Sequence, residues 1–144
     1  MVIHAGIGGG KTSTARAIDN TLRDRGFSVR GILSVRLFGG VSEGYNAEDL
    51  EVGEVYPLVR LTTSAEGVDW ETYGNPMYSF SYSGFERANN ALRVAAKKMA
   101  SGTVVFLDEY GKLESGVKAY ARGSTPLFPY SDGEVLLWSF AGLT

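Results

Sequence analysis

Hydrophobic and polar positions fall into blocks along this chain, and the period changes from block to block. Residues 1–5, MVIHA, are a short apolar, β-branched run, the pattern of a buried strand. From Lys11 to Arg25 the apolar positions Ala15, Ile18 and Leu22 recur at helical spacing. Arg23 and Arg25 occupy the last turn, complementing the helix dipole, and Gly26 follows as a C′ residue. Residues 27–38, FSVRGILSVRLF, are β-branched and aromatic. A Gly-Gly pair then turns the chain into 41–62, which reads as further short strands with glycine-centred turns, hence antiparallel hairpins. Residues 63–76 read as a loop and 77–82, MYSFSY, as another strand.

A second helix follows. Ser83 and Glu86 have capping-box spacing at its start, and Phe85, Ala88, Leu92, Ala95 and Met99 form its apolar stripe. Residues 102–111, GTVVFLDEYG, predict an apolar strand ending in two carboxylates. Beyond Gly123 the pattern weakens into a turn-rich cluster, GSTPLFPYSDG, and 134–140, EVLLWSF, reads as a final strand. There are no repeats, low-complexity tracts or linkers.

Composition narrows the classes. A chain of 144 residues suits one domain, 1–144, with one core. A net charge of −2 offers no basic field for nucleic acid or an anionic membrane. The absence of cysteine excludes disulfides and Cys-ligated zinc, and the single histidine, His4, argues against His-rich metal sites and a Ser-His-Asp triad. No apolar run approaches the roughly 18 residues that span a bilayer, and only MVIH precedes the glycines, too little for a signal peptide. The expectation is a cytoplasmic protein with no membrane partner and no clear nucleic-acid partner. Oligomeric state is not legible.

The chemistry gathers at two places. Residues 5–12, AGIGGGKT, fit the P-loop pattern, with Ala5 at the position usually held by glycine. A phosphate cradle needs successive N–H groups turned inward, through backbone angles closed to most side chains, hence Gly8 and Gly10 in particular. The binding set is then Gly6, Ile7, Gly8, Gly9, Gly10, Lys11, Thr12 and Ser13. The helix opening near Lys11 adds its positive dipole end. Lys11 can bridge the β- and γ-phosphates, and the Thr12 hydroxyl can bind Mg²⁺. A glycine-rich turn before Lys-Thr also arises by chance, but this one follows a predicted strand and opens a predicted helix.

The second place is VVFLDE, 104–109. Four apolar residues predict a buried parallel strand that delivers Asp108 to its carboxyl end, where α/β sheets bind ligands. Asp108 would hold Mg²⁺, directly or through water, and Glu109 would orient or deprotonate the attacking water. The alternative is an acidic pair that merely ends a strand at the surface. Neither an Asn-Lys-x-Asp base-reading motif nor a protein-kinase catalytic loop occurs.

Taken together, these stretches resemble the thermophile-type nucleoside-triphosphatase family, to which the cancer-related nucleoside-triphosphatase belongs. GILSVRL followed by GYNAEDLEVGEVYPLVR, with Pro57, Leu58 and Arg60, is similar to the family's hairpin region. YSFSYSGFERANNAL resembles its strand-to-helix stretch, and VVFLDEYGKLE its Asp-Glu-x-Gly-x-x-Glu block, with Asp108, Glu109, Gly111 and Glu114 in place. The resemblance runs from about residue 3 to 118. It implies an α/β fold, a RecA-like P-loop NTPase three-layer sandwich of the additional-strand, catalytic-glutamate type, with a mainly parallel sheet and antiparallel hairpin additions. It also implies slow Mg²⁺-dependent hydrolysis of ATP, GTP and other nucleoside triphosphates, with Lys11, Thr12, Asp108 and Glu109 at the motif positions. Ala5 departs from the family pattern, and 119–144 read as an atypical or shortened C-terminus.

Several residues stay open between chemistry and structure. His4 reads as a packed strand residue rather than a ligand; Arg36 and Arg60 are either phosphate-stabilising or solvated strand arginines. Lys112 reads as an exposed lysine before a phosphate contact, and Trp70, Tyr73, Tyr78 and Tyr82 as core aromatics before base-stacking ones. Two other functions compete with hydrolysis: a small-molecule kinase on the same core, and a nucleotide-dependent binding module with little turnover.

Overall fold

The computed structural model describes residues 2–5, 11–39, 42–72, 77–108 and 134–140. Strand β1 (Val2–Ala5) leads to helix α1 (Lys11–Asp24), whose Gly26 adopts a φ of 84° just past its end, as the C′ reading expects. Strands β2 (Ser28–Phe38), β3 (Ser42–Asp49) and β4 (Val55–Leu61) form antiparallel hairpins. After a 3₁₀ turn (Thr62–Ser64) come β5 (Trp70–Thr72), β6 (Tyr78–Ser81), α2 (Tyr82–Lys97), β7 (Thr103–Asp108) and β8 (Glu134–Phe140).

Among the described residues the sheet has eight strands in the order β1-β8-β7-β2-β3-β4-β6-β5. The first four are mutually parallel, and every pairing from β2 onward is antiparallel. The antiparallel addition is therefore as large as the parallel part that carries the motifs. The latter has the additional-strand arrangement: β8 lies between β1 and β7 and pairs with both. The atypical tail thus supplies the strand that separates the two motif strands.

Side-chain parity makes the sheet the middle of three layers. On β2, Val29 and Leu33 join Val104 and Phe106 of β7, and Leu50, under Ala15, Ile18 and Leu22 of α1. On the opposite face Ile32 and Leu107 join Ala47, Tyr56, Leu58 and Phe80 under Ala88 and Leu92 of α2. Each helix therefore covers one face, as the 3.6-residue stripe of the first and the stripe of the second require.

Three local expectations shift. The segment read as a loop contains β5, which pairs with β6 at the sheet's far edge; three residues are too few to show a period in sequence. The cap of α2 is Ser81 rather than Ser83: Ser81 Oγ accepts from the Gly84 amide at 3.0 Å. Asp69 displaces the expected box, accepting from Ser81 Oγ at 2.6 Å, from the Ser83 amide at 2.8 Å and from Ser83 Oγ at 2.9 Å. These bonds hold the Asp69 carboxyl below its usual range, Ser81 foremost. Met99 falls beyond the end of α2, so the buried stripe stops at Ala95.

Candidate functional site

The carboxyl edge of the parallel strands carries both the end of β1 and Asp108 at the end of β7. β1 ends at Ala5 and α1 opens at Lys11, so the glycine stretch connects a strand end to a helix start, as a cradle requires. Gly6, Ile7, Gly8, Gly9, Gly10 and Glu109 lie outside the described residues. Lys11 is the first residue of α1. Thr12 is half-buried and Ser13 exposed. Asp108 is the last residue of β7.

The register fixes their relation. Asp108 pairs with Trp138 of β8, and Trp138 with Ile3 of β1, so Asp108 stands two residues below the end of β1 on the same edge. Two strand spacings, about 10 Å in all, separate the two motif strands. β7 is parallel to both neighbours, and Val104, Val105, Phe106 and Leu107 are all buried, as the apolar run predicts.

Helix α1 is fastened to the antiparallel part by contacts that no sequence pattern announces. Arg16 donates to both carboxylate oxygens of Glu48 on β3, Nη1 to Oε1 at 2.9 Å and Nη2 to Oε2 at 2.5 Å. This pairing lowers the Glu48 pKa and raises that of Arg16, with burial opposing both. Two turns further on, Arg23 donates to Asp19 at 2.6 Å and to the Leu50 carbonyl at 2.6 Å. Arg16 lies four residues beyond Thr12, one turn along the helix, so the brace acts near the end that carries Lys11–Ser13.

The remaining candidates separate by position. His4 pairs in β1 with Ser139. Arg60, on β4, donates to the carbonyls of Tyr45 (3.0 Å) and Val59 (2.8 Å) and to Asn46 Oδ1 (2.6 Å), a structural role, and burial lowers its pKa. Trp70, Tyr78 and Tyr82 belong to β5, β6 and the start of α2, at the end of the sheet away from β1, so they are not brought to the motifs. Tyr73 and Lys112 lie outside the described residues. Arg36 lies on β2 beside β7, with its guanidinium carbon 5.4 Å from the Phe38 ring centre.

Thr12 and Asp108 offer hard oxygen donors, the type Mg²⁺ takes from protein in small number alongside phosphate oxygens and water. Among the described residues no cluster of three or more His, Cys, Asp or Glu could hold a metal by itself. No described helix is long and apolar enough to cross a membrane.

A strand-loop-helix at the carboxyl edge of a parallel sheet, with one strand set between it and an acid-tipped strand, is the P-loop NTPase class of α/β fold. The chain belongs to the NTPase family, whose sequence model matches residues 1–123, and it is a nucleoside-triphosphatase enzyme. Its fold is similar to the solution structure of a human cancer-related nucleoside triphosphatase, with a TM-score of 0.62 and 24% identity. That match covers 96% of this chain and 72% of the human one. No curated protein matches in sequence.

Proposed function

We propose that residues 1–144 act as one catalytic domain that hydrolyses nucleoside triphosphates, ATP and GTP among them, to the diphosphate and phosphate, with Mg²⁺ as cofactor. The amides of Gly6, Ile7, Gly8, Gly9 and Gly10, with those opening α1, Lys11, Thr12 and Ser13, cradle the phosphates, and Lys11 adds its charge between the β- and γ-phosphates. Thr12 and Asp108 hold Mg²⁺, which when bound screens the phosphate oxygens against the incoming nucleophile. Glu109 accepts a proton from water as the water oxygen attacks the γ-phosphorus. The bond from that phosphorus to the bridging oxygen breaks, and its electron pair leaves with the diphosphate. Positioning and charge stabilisation supply most of the acceleration.

The observation that carries the reading is the shared edge: β8 sets the end of β1 and Asp108 of β7 one strand apart at the side where α/β sheets bind ligands. The proposed location is the cytoplasm. The test is phosphate release from a panel of nucleoside triphosphates, with Mg²⁺ or with EDTA, by wild type and Lys11→Ala. Release from several nucleotides that stops with EDTA and in the variant supports the reading. Release unaffected by Lys11→Ala refutes it, and nucleotide bound without phosphate release moves it to a binding module.

A further inference from the structure

A helix that opens a phosphate cradle must hold its first turn at a set height over the sheet, because Mg²⁺ takes its oxygens at about 2.0–2.1 Å and tolerates little error. In α1 that turn carries Lys11, Thr12 and Ser13. The apolar anchors of the helix thin out toward this end. Ile18 and Leu22 pack on the sheet about two and three turns beyond Thr12, and the nearest anchor, Ala15, offers a single methyl. A methyl buries too little surface to fix the rotation of a helix by itself.

The Arg16–Glu48 pair supplies what the core lacks there. Ile32 of β2 pairs with Leu107 of β7, and Leu33 of β2 pairs with Glu48 of β3. Asp108, Leu33 and Glu48 therefore stand level across three neighbouring strands, Glu48 two strand spacings, about 10 Å, from Asp108. On the face covered by α1, Leu33 packs with Phe106, two residues before Asp108, and Glu48 reaches Arg16. The guanidinium grips both carboxylate oxygens, and the Glu48 side chain is only 19% exposed. Two parallel bonds fix an angle as well as a distance. Thr12 stands one turn, about 5.4 Å, from Arg16 on the same side of the helix.

We infer that Arg16 and Glu48 are positioning residues of this enzyme: their forked pair sets the height and rotation of the first turn of α1 over the sheet, and with it the placement of Thr12 relative to Asp108. This rests on the P-loop reading above and adds the device that holds its two halves in register. Neither residue touches the nucleotide; both act through the helix. Arg23 is the internal contrast. It ties the same helix to the Leu50 carbonyl, but from eleven residues beyond Thr12, about three turns away.

The test measures equilibrium binding of a non-hydrolysable ATP analogue with Mg²⁺ and with EDTA, and ATP hydrolysis at rising Mg²⁺. It compares wild type, Glu48→Gln, Arg16→Lys, Arg23→Gln and Lys11→Ala. The gain in binding that Mg²⁺ confers reports the metal's hold on the protein, and thermal melting confirms that each variant is folded. Glu48→Gln is expected to lower that gain about tenfold, the low end for a group that orients a metal ligand, with binding in EDTA unchanged. The Mg²⁺ needed for half-maximal hydrolysis should rise to match, while kcat at saturating Mg²⁺ stays within a few-fold of wild type. Arg16→Lys keeps the charge but not the planar fork, so it falls between the two. Arg23→Gln should melt lower and keep the whole gain, which separates positioning from plain loss of stability. If Glu48→Gln keeps the wild-type gain, or Arg23→Gln loses as much of it, the positioning role is overturned and the P-loop reading stands. If Mg²⁺ gives wild type no gain, or Lys11→Ala hydrolyses like wild type, the underlying reading falls first. Should Glu48→Gln not fold, a folded Arg16→Lys with the wild-type gain overturns the role.

Discussion

Gly31 joins the strand that carries Arg36 to the strand that carries Asp108, and replacing it with alanine should loosen both. Its φ of 102° lies where residues with a Cβ are strained, at a cost of about 1–3 kcal/mol. A methyl there would also overlap the Phe106 carbonyl oxygen and stand 2.8 Å from the Phe106 amide nitrogen and 2.9 Å from its carbonyl carbon. These are backbone atoms of the neighbouring strand, which cannot rotate away, so β2 and β7 must separate locally. Overpacking of that kind costs about 1–3 kcal/mol. Together the two effects come to about 4 kcal/mol, a large part of a stability of about 5–15 kcal/mol. Gly53→Ala is the internal control. Gly53 also has a positive φ, 75°, but nothing stands within 4 Å, so only the conformational cost of about 1 kcal/mol applies. Urea unfolding followed by tryptophan fluorescence measures both, compared at unchanged m. A Gly31→Ala loss below about 1 kcal/mol, or no larger than that of Gly53→Ala, refutes the reasoning.

Other changes test separate parts of the account. Ser81→Ala removes the cap of α2 and an Asp69 partner, and should cost about 1 kcal/mol in urea, with Ser83→Ala costing less. Glu48 has its pKa lowered chiefly by the hydrogen bonds from Arg16, so its stabilisation is present above the ordinary 4.5 and lost as pH falls through the lower folded value. Glu48→Gln should therefore lose about 1 kcal/mol near pH 7, and the gap from wild type should close below pH 4.5; a gap constant with pH rejects the pair as its source. Tyr56 is buried, and its hydroxyl has no hydrogen-bond partner among the described residues. Tyr56→Phe should leave stability unchanged or raise it by up to about 1 kcal/mol. Burial pushes the Tyr56 pKa up to about 12, so absorbance titration should show one tyrosine ionising near there, lost in Tyr56→Phe; stability held below pH 10 is given up between the two values.

The motif strands and both helices were legible because each combines a period with an end signal. Ala15, Ile18 and Leu22 fall on one face of α1, and the four apolar residues before Asp108 are buried between two parallel neighbours. What the sequence could not carry was partnership at a distance. Nothing in EVLLWSF says that this strand inserts between β1 and β7, since strand order depends on which edges remain free. The Arg16–Glu48 brace joins residues 32 apart, and Asp69 reaches Ser83 from 14 residues away, so neither has a local signature.

The most direct measurement of the central claim compares wild type with Glu109→Gln, following Mg²⁺-dependent ATP hydrolysis and equilibrium ATP binding together. The account expects binding within a few-fold of wild type and turnover reduced by about 10²–10⁴-fold, the contribution of a positioned general base. Turnover near the wild-type rate, with binding intact, would contradict it and remove Glu109 from the chemistry.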